Sequence, residues 1–431
     1  MKRVLLICYQ FHQKEAVGTI RGRGMAKYLK PFDWETSIIC GDKYEDNDFT
    51  TFEILVDSAS TKWKKKLGLK EDLTLKKQLN VPSHKNKKTF VDYIINIWNE
   101  LFAYPDVYYT WVDPAIGKGR ELLKKEHFDA IISTSPPDSV NLVASRLASE
   151  FNIPWIADFR DLWTQKHYYP YSGIRKFFDR RLELKTLSNA SILTTVSQPL
   201  AENLQKLHKN KNVIVIPNGF DPEQTNPGIP LSEKLSITYT GTLYRGRQDP
   251  EPLFKIVRYL INENFIDPNS LEINFFGYDE GWLIHDVKKY GLDNYVKIHG
   301  IIPREQSIQK QRESQILLLL TWNDPEEKGV YTGKLFDYLA ARRPILSLGF
   351  TDGGVVKELL DQTRVGVHCS NEVELREYLL EAYREYKELG AVQYRGIKEE
   401  VMKYSQVEMA KSFSEVLESI IENDVGLKRL S

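Results

Sequence analysis

The chain has 431 residues, too many for one comfortable hydrophobic core, so two domains are expected. Lys plus Arg and Asp plus Glu number 59 each, a formal net charge of zero that leaves no global field to gather nucleic acid. Hydrophobic content of 42% suits a soluble globular protein, and Cys8, Cys40 and Cys369, widely separated, imply neither a disulfide framework nor a zinc site and fit a reducing compartment.

Val4–Cys8, after Lys2-Arg3, begins like a signal peptide, but the apolar run stops after five residues and reads as a buried first strand. Further strands are expected at Thr36–Cys40, Ala130–Thr134, Trp155–Ala157, Ile192–Val196 and Val213–Ile216. Helical stretches lie between them at Ile20–Leu29, Ile116–Lys125, Ser139–Glu150 and Arg175–Leu187. Strands alternating with helices predict an α/β domain built on a doubly wound parallel sheet. Cys8 and Cys40 read as small core residues of its strands. Asp46-Asn47-Asp48, in a polar stretch after the second strand, reads as a solvated loop, and no metal site is expected.

Lys62 to Lys88 stands apart, with ten lysines against Glu71 and Asp72, and with Trp63, Leu67, Leu69 and Leu73 interleaved. Such a stretch suits an anionic membrane surface, and equally a solvated loop. No nucleic-acid reader motif accompanies the charge. No apolar run approaches the roughly 20 residues that span a bilayer. The expected location is cytoplasmic, or peripheral on the inner face of the cytoplasmic membrane.

Pro217-Asn218-Gly219-Phe220-Asp221-Pro222 is dense in turn formers, and residues 223–234 lack periodicity, which marks a linker. The pattern then restarts, with strands at Ile237–Thr240, Glu272–Phe276, Val296–His299, Ile316–Leu320, Ile345–Leu348 and Val365–Val367. Helices are expected at Pro252–Glu263, Lys334–Ala341, Val355–Leu360 and Glu372–Tyr386. Ligands of such sheets sit at the strands' carboxyl ends, which places Gly241-Thr242, Gly277, His299-Gly300, Thr321 and Gly349 at a binding edge. Thr332-Gly333-Lys334 opens a helix there, so its free amides and an ammonium form an anion site, with Asp337 one turn along to take a pair of sugar hydroxyls. The last helix, Gln406 to Glu422, carries Val407, Ala410, Phe413, Leu417 and Ile420 on one face.

These residues resemble GT-B glycosyltransferases, and within them the retaining family 4 enzymes (glycosyl transferases group 1) of the bacterial surface-polysaccharide branch. The likeness rests on Ser135-Pro136-Pro137, on Asp158-Phe159-Arg160-Asp161-Leu162-Trp163, on Tyr239-Thr240-Gly241-Thr242-Leu243, and on the run from Thr332 to Ala341. It implies two Rossmann-like domains with an interdomain cleft, residues 1–222 binding acceptor and residues 223–404 binding donor, with 405–431 returning to the first. It implies that Gly18 and Arg21 approach the donor phosphate, that Gly241, Thr242, Gly277, Thr332 and Gly333 line the donor, that His299 and Gly300 meet the base, and that Asp337 holds the ribose. Asp158, Arg247 and Lys334 are the catalytic residues so implied, and Arg160 and Asp161 face the acceptor. The family's first motif acid would fall at Gly329, where none stands; Glu326, Glu327 or a backbone amide near Val330 are the substitutes at hand.

The expected activity is retaining, metal-independent transfer from a nucleotide diphosphate-sugar to a hydroxyl of a lipid-linked or oligosaccharide acceptor, with no cofactor and with UDP ahead of GDP. Arg247 and Lys334 would stabilise the departing diphosphate. The rivals are a nucleotide-sugar epimerase of the same shape and a catalytically silent nucleotide-binding subunit.

Overall fold

A computed structural model describes residues 1–13, 17–43, 48–59, 61, 99–225, 228–279, 281–324, 326–349 and 351–430; Asp46, Asn47 and the basic segment 62–88 lie outside them. The apolar run at Val4 becomes β1 (Lys2–Ile7), flanked by β2 (Trp34–Cys40) and β3 (Thr50–Glu53) on one side. On its other side follow β4 (Ala130–Ser135), β5 (Trp155–Phe159), β6 (Ile192–Thr195) and β7 (Val213–Val215). Together they make a seven-stranded sheet, ordered 3-2-1-4-5-6-7 and parallel at every pairing. Helices α1 (Val17–Tyr28), α2 (Val112–Lys125), α3 (Ser139–Phe151), α4 (Gly173–Leu187) and α5 (Gln198–Leu207) connect the strands.

A second sheet is built from β8 (Leu235–Thr240), β9 (Leu271–Phe276), β10 (Val296–Gly300), β11 (Ile316–Leu320), β12 (Ile345–Leu348) and β13 (Gly366–Cys369). Its order is 10-9-8-11-12-13, again parallel. Its helices are α6 (Glu251–Asn262), α7 (Leu283–Lys289), α8 (Arg304–Glu313), α9 (Gly333–Ala341), α10 (Gly354–Thr363), α11 (Glu372–Leu389) and α12 (Lys398–Met402). Strand β11 shows why the sheet sits between helical layers. Ile316, Leu318 and Leu320 pack in one cluster with Phe254 and Val257, while Leu317 and Leu319 pack in another with Leu335 and Leu339. A strand apolar on both faces needs cover on both, which parallel crossover helices supply.

The chain divides into two compact units, Met1–Pro217 with Met409–Ser431, and Asn218–Glu408. Helix α13 (Gln406–Leu430) supplies the returning piece of the first unit. There Phe413 is fully buried beneath the Arg21 guanidinium, 4.9 Å away, and Glu418 accepts from Lys2 and from Trp34 Nε1 at 3.1 Å. Within the second unit Phe220 bridges to Ser405: its amide donates to Tyr404 O at 2.9 Å and its carbonyl accepts from the Gln406 amide at 2.8 Å. Gly219 makes that approach possible, since a Cβ there would lie 2.4 Å from the Ser405 carbonyl carbon.

Strand β3 and helices α5, α7, α8 and α12 were not expected from periodicity. Helix α8 is almost wholly polar and buries only Gln311. It follows Pro303 and carries Glu305 in its first turn and Lys310 and Arg312 in its last, so its own propensity and dipole complementarity support it.

Candidate functional site

In the second unit the sheet order reverses between β8 and β11, the place where such sheets bind ligands. Strand β8 is followed by Gly241 with φ +111° and β9 by Gly277 with φ +139°, conformations that side chains resist. A Cβ on Gly277 would fall 2.0 Å from Gly241 O, and one on Gly241 would fall 2.3 Å from Lys334 Cε. Gly277 also donates its amide to Gly300 O at 2.7 Å. Residues distant in sequence thus meet at one edge: Gly241, Thr242, Gly277, Gly300 and Lys334.

Lys334 lies one residue inside α9. Its Nζ donates to Tyr239 OH at 2.6 Å and Thr242 O at 3.3 Å, and sits 4.5 Å from the Tyr239 ring centroid. Burial pushes its pKa down to about 7 against the opposing pull of Asp337. Thr332, at the N-cap, makes no side-chain cap, and its Oγ1 is buried with no hydrogen-bond partner among the described residues. Gly333 follows as the first helical residue. An ammonium held near neutrality, beside a helix start with an unused hydroxyl, favours an anion.

Arg247 sits on the loop after β8. Its carbonyl accepts from Asn323 N at 2.9 Å, and its guanidinium lies 4.7 Å from the Trp322 ring. Its neighbour Gln248 donates to Leu320 O at 2.9 Å and accepts from Tyr239 OH at 3.3 Å, so Arg247 connects to Lys334 through Gln248 and Tyr239. Asp337 is engaged by Arg304, Nη2 to Oδ1 at 2.7 Å and Nη1 to Oδ2 at 3.3 Å. Burial raises the Asp337 pKa against the pull of Arg304 and Lys334. Sequence reasoning missed Arg304, which no motif flags. His299 is exposed and stacks on Phe276 at 4.2 Å with an interplanar angle of 8°, its Nε2 2.8 Å from Asn274 Oδ1. Burial lowers its pKa. A recess beside α9 is lined by Trp322, Asp324, Glu327, Val330, Thr332 and Gly353 among others. Glu327 therefore stands at the wall near Gly329, and Asp324 joins it, a carboxylate the sequence did not single out.

The first unit corrects several expectations. Asp158 is 0% exposed: it accepts from Arg21 Nε and Nη2 at 2.8 Å each, from Thr134 Oγ1 at 2.8 Å and from Thr194 Oγ1 at 2.7 Å. Arg21, 2% exposed, also donates to Pro217 O at 3.1 Å. Each carboxylate oxygen of Asp158 thus accepts two hydrogen bonds inside the fold, where it holds the Arg21 guanidinium. Arg160 is likewise used internally, donating to the carbonyls of Gly18, Pro136 and Ser135. Gly18 is held against it: a Cβ there would lie 3.0 Å from Arg160 Nη1. Asp161 is the exposed member of the group.

Another carboxyl on this edge was missed. Asp138 follows the Ser135-Pro136 and Pro136-Pro137 cis bonds at the end of β4, and its Oδ1 is buried with no hydrogen-bond partner among the described residues. Burial pushes its pKa up to about 7, opposed by Lys166, whose Nζ is 3.8 Å from Oδ2. Such a group exchanges a proton near neutrality.

Residues 83–224 match the family model described as Glycosyltransferase Family 4. Among solved structures the chain is similar to HepE of Anabaena in complex with UDP and glucose, at 12% identity and TM-score 0.61, covering 97% of this chain and 100% of that one. It is similar to sucrose-phosphate synthase of Thermosynechococcus elongatus (13%, 0.54, 100% and 99% covered) and to the apo lipopolysaccharide outer core galactosyltransferase WaaB (12%, 0.54, 97% and 99%). No curated protein matches the sequence. The fold is that of the GT-B glycosyltransferases, and the first unit carries most of the Family 4 match.

Proposed function

We propose that the chain is a retaining glycosyltransferase that moves a sugar from a uridine diphosphate-sugar to a hydroxyl of a lipid-linked or oligosaccharide acceptor in bacterial surface-polysaccharide synthesis. The observation that carries this reading is Lys334, packed on Gly241 at the start of α9 and next to the unused Thr332 hydroxyl. The diphosphate takes the α9 amides, the Lys334 ammonium and the Arg247 guanidinium, which stabilise charge on the leaving oxygen. The acceptor oxygen bonds to the anomeric carbon on the face the diphosphate leaves, and its proton passes to the departing phosphate oxygen. Neither a metal nor a carboxylate nucleophile enters this scheme. HepE, of the same fold, was solved with UDP-glucose, which makes UDP the first nucleotide to test. On the acceptor side Asp138 with Lys166 takes the part expected of Asp158.

Calorimetry with UDP and GDP, followed by a screen of UDP-sugars, tests the proposal. Lys334→Ala is expected to weaken UDP binding by roughly ten- to a hundredfold, the worth of one charge-assisted contact, with an unchanged circular dichroism spectrum. Binding of neither nucleotide overturns it. A nucleotide-binding subunit without turnover is the second reading, favoured by Gly329 in the place of a motif acid; UDP binding with no transfer from any UDP-sugar would establish it.

A further inference from the structure

Helix α4 is built inside out. Ahead of its buried end at Thr186 and Leu187, its buried face carries Arg175, Asp179 and Glu183, whereas Ile174, Phe177, Phe178 and Leu184 are 76%, 55%, 53% and 40% exposed. A helix at an aqueous surface shows the reverse arrangement. The buried charges are satisfied: Arg175 Nε donates to Asp179 Oδ1 at 3.0 Å, and Glu183 accepts from Thr164 and Gln165. The inversion is therefore held in place by a hydrogen-bonded network. Arg175 also donates to Glu100 O at 2.5 Å and Ala103 O at 2.6 Å, pinning the turn that carries exposed Leu101 and Phe102 to the start of the helix.

The charges on the outer face have one sign. Lys176, Arg180, Arg181 and Lys185 are exposed, while both acids of the helix are buried. The Phe177 and Phe178 rings stand edge to face at 5.6 Å, and the Arg181 guanidinium lies 5.6 Å from the Phe177 ring. Aromatic rings interleaved with basic side chains match a surface whose interior is apolar and whose headgroups are anionic. We infer that the outer face of α4, with Leu101 and Phe102, docks on an anionic lipid bilayer, the rings entering the acyl boundary and the four cations meeting the headgroups. Helix α4 follows the loop that leaves the carboxyl end of β5.

Co-sedimentation of the full chain with phosphatidylcholine vesicles, with and without phosphatidylglycerol, tests this without any nucleotide. It therefore stands or falls separately from the transferase reading. Binding is expected to the anionic vesicles and to weaken with salt. Phe177→Ser with Phe178→Ser, and separately Arg180→Glu with Arg181→Glu, should each cut partitioning about tenfold or more. Because all four side chains are exposed, their thermal midpoints should match the parent. The inference is overturned if the parent ignores lipid charge, or if both double variants bind like the parent, which would place any attachment in 62–88. A concentration-dependent dimer lost in the Phe variants also overturns it, in favour of a second copy of this chain.

Discussion

Lys334 answers two opposing demands, burial against Tyr239 and readiness for an anion. With a free-site pKa of about 7, the ammonium is complete only at lower pH, and a bound diphosphate favours that form. UDP affinity should be flat below neutrality and fall as pH rises above it, approaching about tenfold per unit, with proton uptake on binding. Calorimetry in buffers of different ionisation enthalpy checks this, and Lys334→Met should abolish the slope. The sign for folding is the opposite. The folded pKa lies below the unfolded lysine value of about 10.4, so the unfolded chain holds more protons between the two and stability rises with pH across that window. Lys334→Met should thus raise the thermal midpoint near about pH 6 and leave it nearly unchanged near about pH 10. Asp158 shows the contrary case. Asp158→Ala leaves Arg21 buried and uncompensated, and should cost about 3–5 kcal/mol in denaturant titration while UDP affinity is retained.

At the scale of elements, strand ends decide the site. Gly241→Ala must strain a φ of +111° and displace Lys334, whereas Gly246, at φ +75°, has open space around an added Cβ. The first change is expected to abolish UDP binding and destabilise by roughly 2 kcal/mol or more, the second to cost about 1 kcal/mol with binding intact. Equilibrium unfolding and calorimetry on the pair separate steric effects from conformational ones. Legibility followed the same division. The strands at Ile237, Ile316 and Ile345 could be read because sheet interiors demand continuous apolar runs, and Thr332-Gly333-Lys334 because helix starts have their own chemistry. Helix α8, with one buried residue, left no periodic trace, so Arg304 escaped notice. Helix α4 was legible as a helix, yet the network that turns Arg175, Asp179 and Glu183 inward was not.

At the scale of the whole molecule, the first unit closes only with the chain's last segment, because Phe413 and Leu417 are fully buried there. Removing residues 409–431 uncovers Arg21 and the pair it makes with Asp158. Limited proteolysis of the truncated chain should cut within residues 1–217 and leave 218–408 as a protected fragment. Equal digestion of both units would contradict the division.

Sequence by itself determined the alternation of apolar strands with amphipathic helices, hence two parallel-sheet units, and the lysine that opens α9. Those features are local, written in spacing over a few residues. Only the tertiary structure decided which charges face a ligand and which are locked together: Arg21 with Asp158, Arg304 with Asp337, and Arg160 with the carbonyls of Gly18 and Pro136. The physical reason is that a charged side chain's role depends on its partner and its burial, and these partners lie from 24 to 142 residues away along the chain.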